Sequence, residues 1–261
     1  MLAPYPQLAA AGFRRYAGYR QATLAGLTAN TVFGLLRAAV LVAVLAQRGT
    51  VGGYDVSVAV TYVWLGQGLL GVVLMWGDME LSQRVRTGDI VIDLSRPWDL
   101  QTAMLATDLG RAGHGVLFRL LPPALVGAVF FPFRWPEQAT TWLLFAVAAG
   151  LAVTVSFGIR FLLNASAFWM LDARGVVAVW GAAGGVLSGL VIPLSWFPGW
   201  AQAALAWTPF PSIMQNPIDV FTERGNALAL IGQQGFWAVA LFVAGRLALA
   251  AGSRKLVVQG G

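Results

Sequence analysis

The chain has 261 residues, of which 58% are hydrophobic and 11% are charged, and its net charge is +6 at pH 7. Soluble domains average about 45–50% apolar and about 25% charged residues, so this composition predicts an integral membrane protein. It argues against a nucleic-acid-binding protein, whose basic residues would cluster on a soluble face. The absence of cysteine excludes disulfides and thiolate metal sites.

The N-terminal segment, residues 5–20, mixes arginines with apolar and aromatic side chains. This pattern predicts an amphipathic helix that lies in the membrane interface. The segment lacks the basic region, apolar core and small-residue cleavage site of a signal peptide. We therefore expect the first span to be permanent.

Six apolar stretches are each close to the ~20 residues that cross a bilayer as a helix. We predict an all-α membrane protein, formed by a single transmembrane domain over residues 1–261. The predicted spans cover residues 23–47, 58–76, 116–133, 140–163, 176–194 and 227–250.

The basic residues predict the orientation of these spans, because cytoplasmic loops carry an excess of Lys and Arg. With the N-terminus inside, thirteen basic residues lie in cytoplasmic segments or at the inner ends of spans, and only Arg48, Arg134 and Arg224 lie outside. We predict that both termini are cytoplasmic. Arg37 remains within the first span, where it either snorkels to the outer surface or pairs across a subunit interface.

Residues 77–101, between the second and third predicted spans, hold five acids and three arginines. The orientation places this stretch in the cytoplasm, where a solvated loop is one interpretation. Interleaved apolar residues and turn signals favour an ordered element instead, because Thr87-Gly88 is typical of a helix end and Ser95-Arg96-Pro97 of a helix start. We predict a helix, a turn, a short helix and a longer helix that leads into the third span, suited to docking on another protein.

The fifth predicted span contains Gly181, Gly185 and Gly189 at intervals of four, a pattern that lets helix backbones touch. This contact is either internal or between subunits. Residues 193–217 then hold five prolines and three tryptophans. Prolines at that density exclude a straight span, and the tryptophans fit the headgroup level, so we predict short, broken helices at the outer leaflet.

Residue types that carry catalysis are sparse. His114 is the only histidine, and the chain has neither a G-x-S-x-G nucleophile motif nor a G-x-x-x-x-G-K-[ST] phosphate-binding loop. We therefore expect no catalytic residue, no metal site and no ATP hydrolysis in this chain. No acid lies within the predicted spans, which argues against a proton-coupled carrier.

Four stretches resemble the permease subunits of type-2 ABC exporters that have a separate ATPase. They are RVRTGDIVIDLSRPWDLQ (84–101), FWMLDARG (168–175), SGLVIPLSWFPGW (188–200) and SRKLVVQGG (253–261). The six predicted spans, the cytoplasmic termini and the broken external segment fit the same family. The resemblance implies a bacterial, multi-pass protein of the cytoplasmic membrane. Its implied partners are an ABC ATPase and a second permease, either a paralogue or another copy of this chain.

The resemblance also implies roles for individual residues. In this family the loop after the second span forms a coupling helix, which here falls on about residues 89–100. The implied ATPase-coupling residues are Asp89, Ile90, Ile92, Asp93, Leu94 and Arg96, with a smaller second contact at Asp172 and Arg174. The family places the first and fifth spans near the dimer seam, so the implied interface or transport-path residues are Arg37, Gly181, Gly185 and Gly189.

Together these features indicate the membrane subunit of an ATP-driven exporter of an amphiphilic or drug-like substrate. The chain would hold no cofactor, because ATP and Mg²⁺ would be bound by the partner ATPase. The alternative is an ATP-independent channel or secondary carrier, while a membrane-embedded transferase is disfavoured by the missing nucleophile and base. Membrane lipid is an expected partner, and nucleic acid is not.

Overall fold

In the computed structural model the described residues are 4–76, 78–170 and 173–259, with side chains described as far as Lys255. This part of the chain is helical, and its β-pairing is limited to an isolated bridge between Val51 and Tyr54. The α-helices are α1 (Tyr5–Ala17), α2 (Arg20–Arg48), α3 (Val56–Val73), α4 (Glu80–Thr87), α5 (Ile90–Leu94), α6 (Leu100–Gly115), α7 (Leu121–Phe130), α8 (Ala139–Ala165), α9 (Arg174–Leu187), α10 (Gly199–Ala206), α11 (Gln215–Phe221) and α12 (Ala227–Gln259).

Within the described ranges, five helical segments are long and apolar enough to cross a membrane, and they match the predicted spans other than the fifth. Their bounds are Arg20–Arg48, Val56–Val73, Leu100–Phe130, Ala139–Phe168 and Ala227–Lys255. The third of these joins α6 to α7 through a π-helical turn at Val116–Leu120. It therefore begins well before residue 116, where the predicted span starts.

The predicted fifth span, residues 176–194, coincides with a shorter apolar helix. α9 has 14 residues, or about 21 Å of helix, against a hydrocarbon core of about 30 Å. The six-span count therefore stays a prediction.

The chain nevertheless passes from one end of α8 to the other after α9. α9 begins a few residues beyond the C-terminal end of α8. At the N-terminal end of α8, the Glu223 carboxylate accepts hydrogen bonds from the Gln138 backbone N–H at 3.0 Å and the Thr141 hydroxyl at 2.7 Å. α9 and the irregular segment that follows it together span the length of α8.

α3 lies at the centre of the molecule and contacts α2, α6, α7, α8 and α11. Small residues permit this packing. A Cβ atom on Gly68 would lie 2.6 Å from Cδ1 of Leu120, and one on Gly127 would lie 2.4 Å from Cγ of Trp64. In a lipid environment such close backbone approach replaces the burial of apolar surface from water as the source of helix association.

The two predicted elements outside the spans also form helices. α1 occupies most of residues 5–20, and its backbone crosses α6 closely, since a Cβ atom on Gly12 would lie 2.1 Å from the Thr107 carbonyl oxygen. Residues 193–217 are broken into α10, the start of α11 and 3₁₀ turns at Leu194–Trp196 and Phe210–Ser212. The proline content explains these breaks. The placement of both elements at membrane surfaces stays a prediction.

Candidate coupling site and buried ionic cluster

The charged stretch between α3 and α6 is an ordered helical element. α4 ends at Gly88, whose φ of 84° is a conformation that glycine adopts without strain. The short helix α5 follows, and α6 begins at Leu100. This order of helix, turn, short helix and long helix is the predicted one. The predicted helix start at Ser95-Arg96-Pro97 is wrong, because Asp99 caps α6 by accepting a hydrogen bond from the Thr102 backbone N–H at 2.7 Å.

α5 exposes apolar side chains on one surface. Val91, Ile92 and Leu94 are 58%, 62% and 37% exposed. We name these three residues the docking surface. Ile90, which was also assigned to coupling, points the other way and is fully buried with Leu81 and its neighbours. Ile90 therefore anchors α5 to the protein itself.

The charged residues of this stretch are paired with one another. Arg84 donates to Asp93 and to Glu80, each at 2.6 Å, and Arg96 lies 3.6 Å from Asp93. The hydrogen bond to Asp93, followed by that to Glu80, raises the pKa of Arg84 despite its partial burial. The Asp93 side chain is only 6% exposed, so it holds α4 and α5 together and is not free to contact a partner.

The other assigned residues of the element are more exposed. Asp89 precedes α5 and accepts a hydrogen bond from the Thr87 hydroxyl at 2.6 Å, and Arg96 also lies over the Trp98 ring at 5.3 Å. Of the second contact, Arg174 begins α9, whereas Asp172 lies outside the described residues.

α8 holds this element in place through Asn164. Its side-chain amide donates to the Asp78 carbonyl oxygen at 2.9 Å, and its side-chain oxygen accepts from the Ser82 backbone N–H at 3.1 Å. The second bond satisfies an N–H in the first turn of α4, where no intrahelical partner exists. The start of α4 is therefore hydrogen-bonded directly to the end of α8.

A cluster of four charged residues lies beneath the element, and we name Asp78, Asp108, Arg111 and Arg160 the ionic cluster. Arg160 donates to Asp78 and to Asp108, each at 2.6 Å, and Arg111 donates to Asp108 at 2.6 Å. The side chains of Arg160, Asp108 and Arg111 are 4%, 9% and 5% exposed. Two acids and two arginines balance the buried charge, which would otherwise be very unfavourable.

The ionic cluster also closes the end of α3. Arg111 donates to the Val72 carbonyl oxygen at 2.8 Å, and Trp180 of α9 donates to the Met75 carbonyl oxygen at 3.0 Å. Terminal helix carbonyls need such partners, and a cation is favoured at this end of the helix dipole. Side chains from α6 and α9 thus meet at the point where the second long helix ends.

Residues 33–260 match the model of the ABC-2 family transporter protein. The chain belongs to the ABC-2 family. Family membership and the long apolar helices together identify a multi-pass membrane protein that is a membrane component of ABC transport. Family membership also implies association with an ABC ATPase. Neither the curated proteins nor the solved structures gave a match.

In this ABC-2 protein Arg37 has a partner within the chain. Its guanidinium donates to the Leu190 carbonyl oxygen at 2.9 Å, in the irregular segment directly after α9. Snorkelling to the outer surface and pairing across a subunit interface, the two alternatives that the sequence left open, both stay predictions. Arg37 thus ties α2 to the end of α9.

The assigned glycines do not form one continuous helical face. A Cβ atom on Gly181 or Gly185 would lie 3.7 or 3.5 Å from the Trp76 ring, which is ordinary contact. Gly189 lies beyond the end of α9 and has a φ of +86°, so it serves a turn. Toward the described chain, this face packs against Trp76. A contact with a second permease stays a prediction.

A polar network at the opposite end of α3 was not predicted, and we name Tyr54, Tyr62, Gln215, Asp219 and Arg224 the tyrosine network. The side-chain amide of Gln215 donates to the Tyr54 hydroxyl at 3.0 Å and to Asp219 at 2.8 Å. The Tyr62 hydroxyl donates to the side-chain oxygen of Gln215 at 3.2 Å. Arg224 lies over the Tyr54 ring at 4.1 Å.

The tyrosine network joins the segment before α3 to the broken helices after α9. Burial is the main cause that raises the pKa of Asp219 to about 6, against the lowering effect of Gln215 and Arg224. The sequence held one signal for it, since Gln215 and Asp219 lie one helical turn apart. Their tyrosine partners are more than 150 positions away in the chain.

Proposed function

We propose that this chain is the membrane subunit of an ATP-driven exporter that moves an amphiphilic or drug-like substrate across the cytoplasmic membrane. A separate ATPase, which binds ATP and Mg²⁺, would supply the energy. The observation that carries the proposal is the docking surface: Val91, Ile92 and Leu94 are exposed on a short helix outside the long apolar segments. Exposed apolar side chains that are adjacent on an ordered element are typical of an interaction site.

Apolar contact would provide most of the ATPase affinity. Burying one leucine-sized side chain is worth about 1.5–3 kcal/mol, whereas an exposed ion pair is worth about 0–1 kcal/mol. The strongest ion pair of the element, between Arg84 and Asp93, is already satisfied within the chain. Charged residues would therefore shape the docking surface, and the apolar ones would bind.

Movement at the docking surface has a physical route into the long helices. Asp93 links α5 to α4, and Asn164 links α4 to α8. The ionic cluster then joins α8 to α6 and, through Arg111, to the end of α3. We propose that ATPase closure moves α4 and α5 as one body and is transmitted along these bonds.

A second permease would complete the transport path. α2 exposes a row of apolar side chains that includes Phe33, Leu36 and Val40, and Arg37 on the same helix holds the segment after α9. We propose that α2 and α9 line the seam between two permeases. We further propose that α9 and the irregular segment behind it make a sixth crossing, with both termini in the cytoplasm.

The test is co-purification of the ATPase with permease variants. Ile92→Asp places a charge in the docking surface, and we expect ATPase binding to weaken by about 10- to 100-fold, because each 1.4 kcal/mol is tenfold. Transport should fall in parallel. Gln7→Asp is the control, since it adds the same charge at an exposed position of α1, and it should bind at the wild-type level.

Asp93→Asn separates docking from internal support. Because Asp93 pairs with Arg84 inside the element, this change should weaken the attachment of α5 to α4 while leaving the three side chains of the docking surface unaltered. If Ile92→Asp retained wild-type ATPase binding and transport, the docking surface would be an ordinary solvated loop, and the coupling contact would have to lie elsewhere.

A further inference from the structure

A cavity of about 750 Å³ lies between α1, the charged element and α6. This volume is within the range of about 300–1,000 Å³ that is usual for small-molecule sites. The cavity lies on the same side as the docking surface, since Arg84 and Asp93 form part of its wall. It belongs to a single chain and is separate from the proposed seam between permeases.

The walls of this cavity are fixed in position. A Cβ atom on Gly110 of α6 would lie 1.8 Å from the Ala9 carbonyl oxygen, so α1 and α6 touch backbone to backbone. On the opposite wall, Arg84 is bonded to both Glu80 and Asp93. The cavity is therefore held open by contacts at both sides.

The lining has two chemical halves. One half is apolar and includes Leu8, Leu74, Met104 and Phe157, beside the ends of long apolar helices. The other half is charged, with four arginines balanced by four acids: Arg15, Arg84, Arg96, Arg111, Asp78, Glu80, Asp93 and Asp108. A ligand with a large net charge of either sign would meet as many repulsive as attractive groups.

Two of the lining arginines retain hydrogen-bonding capacity. Arg15 lies 3.6 Å from Glu80, and Arg96 lies 3.6 Å from Asp93, both beyond ordinary hydrogen-bond length. Their side chains are 62% and 47% exposed. A guanidinium has five N–H donors, so both can bind a phosphate group, while Glu80, 45% exposed, can receive an ammonium group.

We propose that this cavity binds a zwitterionic amphiphile, with its phosphate on Arg15 and Arg96, its cation toward Glu80, and its chain along the apolar half. The site needs no ATPase to exist. A role of this site in transport would rest on the proposed function, and it would arise from the position of the cavity beside α5. The same arginines and acids connect the cavity to α5, so an occupant would restrain the element that carries the docking surface.

The test uses the full-length chain in a non-ionic detergent. The chain has no cysteine, so Met104→Cys supplies one maleimide-reactive group in the cavity wall. We expect dihexanoylphosphatidylcholine to slow its labelling. Dihexanoylphosphatidylglycerol, which is anionic, and glycerophosphocholine, which has no chains, should do so only at much higher concentration. Gln138→Cys, exposed and outside the cavity at the other end of α8, should label at an unchanged rate.

A double variant tests the assigned residues. With Arg15→Gln and Arg96→Gln, the phosphatidylcholine concentration that halves the labelling rate should rise about tenfold or more, as expected for lost charge-assisted hydrogen bonds. Arg14→Gln with Arg86→Gln, two exposed arginines outside the cavity, should leave it unchanged. Equal protection by the anionic lipid, or no difference between the double variants, would overturn the proposal.

The source of the amphiphile is decided separately, with the ATPase complex in vesicles that contain labelled phosphatidylcholine. ATP-dependent movement of the label between leaflets would identify the site as a cargo site. Binding without movement would identify a resident membrane lipid, and both results support the site. Since the labelling assay contains no ATPase, its failure is distinct from a failure of the proposed exporter function.

Discussion

At the scale of single residues, Asp108 is the carboxylate on which the ionic cluster depends, because it pairs with both Arg111 and Arg160. Asp108→Asn would leave two buried guanidinium groups with one acid. Removing one partner of a buried pair costs about 3–5 kcal/mol, so we expect a clear fall in the thermal unfolding temperature of the purified protein. The control is Glu137→Gln, whose pair with Arg134 is exposed at 3.4 Å and should matter little. Equal melting of the two variants would contradict this role.

Asp219 predicts a pH dependence at the opposite end of the molecule. Its pKa rises from 3.8 to about 6 on folding, chiefly through burial, so the folded state binds the proton more tightly than the unfolded state. The contribution of this group to stability is therefore greatest below about pH 4 and is lost as the pH rises through about 6. Unfolding of wild type and Asp219→Asn should be compared across this range. A wild-type profile with the same slope as the variant's would contradict the shift.

At this scale the sequence indicates candidate functional residues more readily than it indicates the residues with which they pair. The charges of residues 77–101 identify an unusual element between two apolar spans, but no local pattern separates buried Ile90 from exposed Ile92. Arg160 and Asp108 are 52 positions apart, and their pairing arises from the packing of α6 on α8. Long-range partners of this kind depend on the tertiary fold, which spacing along one chain does not encode.

At the scale of elements, α1 is attached to the fold by a glycine crossing. Gly110→Ala would place a Cβ atom 1.8 Å from the Ala9 carbonyl oxygen, so we expect α1 to be displaced from α6. Gly113→Ala on the same helix is the matched control, because its Cβ would meet only the Phe13 ring at 3.8 Å. Protease cleavage after Arg14 or Arg15 should accelerate in the first variant alone. Similar cleavage of both would show that the crossing does not hold α1.

Helix ends were predictable where one residue carries the signal. Gly88 ends α4 because glycine tolerates a positive φ, and the prolines after residue 193 break the chain as expected. The start of α6 was misplaced because Pro97 and Asp99 are both acceptable near a helix N-terminus, and the carboxylate capping bond decides between them. The end of α9 was missed because Ser188 and Gly189 interrupt an apolar run without a proline.

At the scale of the whole molecule, side-chain bonds connect both ends of α3 to other elements of the fold. The ionic cluster and Trp180 hold one end against α6, α8 and α9. At the other end, Tyr54 and Tyr62 of the tyrosine network are hydrogen-bonded to Gln215 of α11. α9 contacts the first end of α3 through Trp180. The irregular segment after α9 reaches the other end, where the Leu194 backbone N–H donates to the Gln215 side-chain oxygen at 2.9 Å. A shift of α9 would therefore act on both ends of the central helix.

The topology follows from α8 and gives the last prediction. α8 has 27 residues, or about 40 Å, which is long enough for its ends to lie on opposite sides of a core of about 30 Å. Ser95 belongs to the element held by Asn164 near one end, and Gln138 precedes the other. Gly252 of α12 packs against Phe168, which lies just beyond the end of α8 that carries Asn164. Ser253 should therefore lie on the same side of the membrane as Ser95.

Single cysteines at these three positions, in a chain that has none, test this arrangement with an impermeant maleimide. In intact cells Gln138→Cys should label, because the excess of basic residues near Ser95 predicts that Ser95 is cytoplasmic. Ser95→Cys and Ser253→Cys should label only after the cells are opened, while Val147→Cys, within α8, should label weakly in both. Labelling of Ser253→Cys in intact cells would mean that the segment between α9 and α12 does not cross the membrane. The chain would then have five crossings, and its C-terminus would lie outside.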